Sequence, residues 1–148
     1  MEKGFILPIF PIVVTLNKMD RVFTKDEIDY ILSFQNKVRD NESNTKDIYI
    51  LENEPLKDIK RICEETLNAH FLKIYDPINP KDIKLDITHS WLNFTKKGQF
   101  HHSHTHHNSF LCGCLYISAN KEKDKIVFTK MDSGDRKSTR LNSSHTDI

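Results

Sequence analysis

The chain has 148 residues, 37% of them hydrophobic, which suits one domain with one core. Lysine plus arginine number 22 against 21 acids; at a formal charge of +1 no basic face is implied, and nucleic acid is not the expected partner. No run approaches the roughly 18 consecutive apolar residues of a membrane span, and three cysteines, Cys63, Cys112 and Cys114, make no disulfide framework, so a reducing, cytoplasmic setting is expected.

The first segment, GFILPIFPIVVTL (4–16), reads as a half-buried extended strand with Pro8 and Pro11 on an edge. A single Lys3 before it makes it a poor signal peptide. Thr24-x-x-Glu27 is a capping box, and Ile28, Ile31, Leu32, Gln35 and Val38 follow at helical spacing to about Arg39. Asp40 to Lys46 is loop by composition. Ile48 to Leu51 is either a short strand or the lead-in to a second helix. That helix starts at Asn53-Glu54-Pro55, with Asn53 as cap and proline in the first turn. Leu56, Ile59, Ile62, Cys63, Leu67, His70, Phe71 and Ile74 form its apolar stripe, and Pro77 and Pro80 end it.

From Ile83 the period changes to two. Ile83, Leu85, Ile87, His89 and Trp91 share one face of a strand, with Leu92 and Phe94 on the other. Lys96 to Gln99 suits a hairpin turn, Phe110 to Ser118 a second strand and Lys125 to Lys130 a third. Two helices followed by antiparallel strands predict an α+β, mostly β chain, or a jelly roll flanked by two N-terminal helices.

Asp135 to His145 reads DRKSTRLNSSH, polar throughout and arginine-rich where the preceding chain prefers lysine. It resembles the translation of a common sequencing-library adapter, with an ordinary disordered C-terminal tail as the competing reading. The expected organisation is therefore residues 1–134 as the N-terminal part of one domain, with 135–148 a disordered, adapter-derived tail.

Histidine is the abnormal residue. Five of eight fall between His101 and His107, bounded by Gly98 and Gly113. On a strand His102, His104 and His106 point to one side, and clustered imidazoles suit iron, zinc, copper or nickel. A solvated polar loop is the competing reading. Spacing alone does not name the metal. Cys112 and Cys114 form C-x-C, for which a buried apolar role is expected ahead of a zinc site.

The run SWLNFTKKGQFHHSHTHHNSFLCGCLYIS (Ser90 to Ser118) resembles the core signature of a 2-oxoglutarate and Fe(II)-dependent oxygenase family of phage and marine bacterial type. The matching positions are Trp91, Asn93, Gly98, His104, His106, Asn108, Ser109, Gly113 and Tyr116, and Phe10 to Val14 resembles the family's opening. His107 replaces the usual proline and Cys112 the usual serine. The resemblance implies a double-stranded β-helix, cupin-like and incomplete here, with Fe(II) as metal and 2-oxoglutarate as co-substrate for hydroxylation of an unknown substrate. It makes His104 a metal ligand and places His106 where an acidic ligand is usual. Either His106 itself ligates, or fewer protein groups hold the iron and water fills the gap. Tyr116 falls where related hydroxylases bind the co-substrate carboxylate, and Asn108 is placed to orient ligands. The superfamily's distal histidine and co-substrate arginine have no match before residue 135, so this chain is expected to be inactive by itself. The alternative is a non-catalytic cupin-like module that binds a metal or ligand.

Overall fold

The structure, a computed structural model, describes residues 12–37, 44–96, 98–101, 103–106, 108–120, 122–130 and 141–145. Its regular elements are helices α1 (Lys25–Leu32) and α2 (Lys57–Tyr75), strands β1 (Ile126–Lys130) and β2 (Leu141–His145), and three single 3-10 turns. Most of the expected N-terminal strand, 4–11, lies outside the described residues.

The capping box starts α1 as its sequence dictates. Thr24 Oγ1 accepts the Glu27 N–H at 3.2 Å, and Glu27 Oε2 accepts the Thr24 N–H at 2.7 Å. Thr24→Ala should therefore cost about 1 kcal/mol, read as a lower urea midpoint with an unchanged slope. The helix stops earlier than its apolar spacing suggests. Ser33 Oγ donates to the Tyr30 carbonyl at 2.7 Å, and the chain continues in tight turns through Lys37. A hydroxyl competing for backbone carbonyls is the local cause.

Asn53 does not cap the second helix directly. Its side-chain amide donates to Asp47 Oδ2 and the Ile50 carbonyl, both at 3.1 Å, and 3-10 turns over Ile50–Glu52 and Glu54–Leu56 lead into α2. The other end is as expected: Asp76 takes a left-handed φ of 39°, its N–H bonds the Leu72 carbonyl at 3.0 Å, and Pro77 follows.

Ile31, Ile50, Leu56, Ile59 and Leu92 form the buried core, with Phe23, Tyr30, Phe34, Leu51, Cys63, Phe94 and Ile117 packed against it. This core joins both helices to the extended run 83–95. That run makes single bridges rather than a ladder: Tyr49 with Ser90, parallel, and Asn44 with Asn93, antiparallel. Part of its edge is paired by helix side chains. Asn68 of α2 donates to the Leu85 carbonyl at 2.7 Å and accepts the Leu85 N–H at 2.8 Å, while Glu64 accepts the Ile87 N–H at 3.1 Å.

Among the described residues, 110–118 form no strand. Phe110, Leu115 and Tyr116 are exposed, although Phe110 meets Phe71 and Tyr75 at centroid distances of 5.8 and 5.5 Å. An apolar alternating run becomes a strand only where a neighbour takes its backbone hydrogen bonds. The third expected strand is β1. It pairs antiparallel with β2, from Ile126 opposite His145 to Lys130 opposite Leu141. β2 lies inside the segment expected to be disordered; an open strand edge accepts any segment of suitable length as its partner.

Candidate metal centre

The run 83–95 sets the frame for the histidines. Leu92 turns into the core, so Trp91, Asn93 and Thr95 alternate onto the opposite face. The chain then reverses: the Gln99 N–H bonds the Lys96 carbonyl at 2.9 Å, and Gly98 takes a φ of 84°, a conformation open to glycine and strained for L side chains. The reversal lays the histidine segment back over the Trp91 face.

Two of the predicted ligands meet there. His104 Nε2 and His106 Nε2 stand 3.1 Å apart, with ring centroids at 4.8 Å. Both rings are half-buried. At that separation one Nε2–H can donate to the lone pair of the other, the tautomers setting which. The distance also suits a metal, since two nitrogens bound about 2.1 Å from one ion at right angles lie about 3.0 Å apart. A divalent ion can thus replace the shared proton without moving the pair far.

Each imidazole is backed by another ring. The Trp91 indole stacks on His106 at 5.5 Å and 22°, and His101 meets His104 edge-on at 4.8 Å and 82°. The expected third donor, His102, lies outside the described residues. No group of three or more His, Cys, Asp or Glu side chains suited to a metal is gathered among the described residues. Among the described residues, His104 and His106 therefore fit two adjacent positions of a coordination sphere.

Asn108 sits exposed in the turn that follows, and Tyr116 is 37% exposed. Cys112 and Cys114 are exposed, against the expected buried role, because the segment carrying them has no sheet to pack in; Cys63 is the half-buried thiol, and burial pushes its pKa up.

Sequence reasoning missed the contribution of the Trp91 face. Asn93 Oδ1 and Thr95 Oγ1 are buried with no hydrogen-bond partner among the described residues. A cleft of about 200 Å³ borders Trp91, Asn44, Thr45 and Ile48. Period-two alternation carried the signal, since residues 91, 93 and 95 must share a side. A second cleft, of about 300 Å³ and lined by Arg21, Asp58, Arg61 and Glu65 among others, is an ion-pair network: Arg21 bonds Asp58, and Arg61 bonds both Asp58 and Glu65. No described helix is long and apolar enough to cross a membrane.

Residues 89–147 match a family model described as "Putative 2OG-Fe(II) oxygenase". The match covers 59 of the 148 residues and contains the Trp91 face and the whole histidine run. It also takes in most of the adapter-like segment, and so does not set that segment apart. No curated protein and no solved structure matches the chain.

Proposed function

We propose that this chain carries the metal-binding half of a non-haem Fe(II) and 2-oxoglutarate-dependent hydroxylase, built on a double-stranded β-helix. One observation carries the reading: inside the matched region, two imidazole nitrogens stand 3.1 Å apart, the spacing of neighbouring ligands on one ion. His104 and His106 would hold the metal, with His106 in the place of the usual acid. When bound, Fe(II) and 2-oxoglutarate supply oxidative decarboxylation: the co-substrate and dioxygen give succinate and carbon dioxide, and one oxygen atom enters a substrate C–H bond as hydroxyl.

The remaining residues bind and orient. The Tyr116 hydroxyl donates to a co-substrate carboxylate, and Asn108 steadies the turn beside the pair. Asn93 Oδ1, an acceptor with no donor among the described residues, suits an N–H or O–H of a bound small molecule. Protein side chains, nucleotides and small molecules all remain open as the substrate, met in the cytoplasm.

The test is an anaerobic titration of the whole chain with Co(II) and then Fe(II). The parent should bind, and the doubly substituted His104→Ala, His106→Ala chain should bind at least about a hundredfold more weakly. Equal binding removes the site. A chain completed with the late-strand histidine and arginine should, once loaded with Fe(II), show the visible charge-transfer absorption of a chelated 2-oxo acid when 2-oxoglutarate is added. Metal binding without that absorption would favour a non-catalytic cupin-like module.

A further inference from the structure

We infer that Trp91 is a positioning residue for His106. Its indole fixes the imidazole plane and so aims Nε2 at the shared metal position. The inference rests on the metal reading of the histidine pair and adds a residue to it.

Trp91 is the single tryptophan of the chain, and its neighbour Leu92 is in the hydrophobic core. The indole lies on the opposite face, only half-buried, against an imidazole at 5.5 Å and 22°. A large aromatic ring on an extended segment ordinarily buries against aliphatic side chains, so this placement calls for a reason. Geometry supplies one. With the indole in an offset stack against one face, turning His106 about its ring torsion breaks the stack, which holds Nε2 3.1 Å from that of His104. His101 restrains the second ligand in the same way, edge against ring.

Charge adds to shape. An imidazole that donates its lone pair to a divalent ion becomes electron-poor, and the indole face carries the negative side of a quadrupole. The stack therefore strengthens when metal binds. It is also local: Trp91 reaches His106 only because the chain reverses at Gly98, which ties ligand orientation to that turn.

Three proteins decide the matter: the parent, Trp91→Phe and Trp91→Leu, each titrated with Co(II) and followed by proton NMR of the imidazoles. Co(II) binding should also quench the Trp91 fluorescence of the parent. The leucine variant should bind Co(II) about tenfold more weakly and give a Co(II) visible spectrum of altered intensity, while phenylalanine restores most of the affinity and the parental spectrum. In the metal-free parent, His106 ring protons should be shifted upfield by the indole ring current, and the shift should vanish with leucine. A folded leucine variant with parental affinity and spectrum overturns the inference. So does the absence of the upfield shift in the parent, which requires no variant to fold. If the parent binds no Co(II), the metal reading fails by itself, and the ring-current shift with its dependence on residue 91 still decides whether Trp91 holds His106.

Discussion

Ile59→Ala is expected to destabilise the chain by about 2–5 kcal/mol, against about 0.5–1.5 kcal/mol for Ile59→Val. Ile59 is 2% exposed and stands in the first turn of α2, where both helices and the extended run meet at Ile31, Ile50, Leu56 and Leu92. The alanine removes three carbons from a close-packed site, and the few neighbours cannot all move in to fill it. Domains of this size have about 5–15 kcal/mol of stability in total, so the loss is a large share. Urea unfolding of the parent and both variants measures it. Ile78→Ala, at a side chain 97% exposed, serves as control and should change stability by less than about 0.5 kcal/mol. A valine variant as damaged as the alanine one would place the sensitivity in shape rather than in the cavity.

The helical half of the fold was legible because its signals are local. Thr24 and Glu27 sit three residues apart and satisfy each other's backbone wherever the rest of the chain goes. The end of α2 at Asp76-Pro77 is local in the same sense. Strands are different, since a strand exists only with a partner. The alternation at 83–95 puts Leu92 and Phe94 on one face without saying which face is buried, and in the fold that face meets the core; the edge of the run is held by Asn68 and Glu64 of α2 and by single bridges to 44–50. No pattern in residues 83–95 announces that a helix side chain will stand in for a strand.

The site divides in the same way. Two histidines two residues apart on extended backbone must share a face, and His104 and His106 do. Alternation named His102 as a possible third donor, which lies outside the described residues, while His101 is the ring that meets His104. Residues three apart come together only where the chain bends away from a regular strand, and the bend belongs to the reversal at Gly98. Exposure of Cys112 and Cys114 follows from tertiary context, because an apolar-looking segment is buried only if something covers it.

Glu27→Gln should cost about 2 kcal/mol near pH 7, and the cost should fade in acid. Glu27 is 4% exposed and its two carboxylate oxygens take two donors from Arg21 and the Thr24 N–H, so its charge is fully engaged. Glutamine keeps one acceptor for Thr24 but loses the paired contact with the guanidinium. The figure sits at the low end for two charge-assisted bonds because Arg21 keeps 29% of its side chain exposed and also bonds Asp58. The Arg21 contact holds the Glu27 carboxyl below its ordinary value; burial opposes this, and the Thr24 amide adds to it. A carboxyl lowered in the folded state binds its proton more readily when unfolded. Its stabilisation is therefore complete above the unfolded value of about 4.3 and is lost as pH falls through the lower folded value. Urea midpoints of parent and variant, measured from about pH 7 down to about pH 3, should therefore converge at the acid end. A gap that stays constant across that range would assign the loss to packing or to the cap, and not to the ion pair that ties the start of α1 to α2.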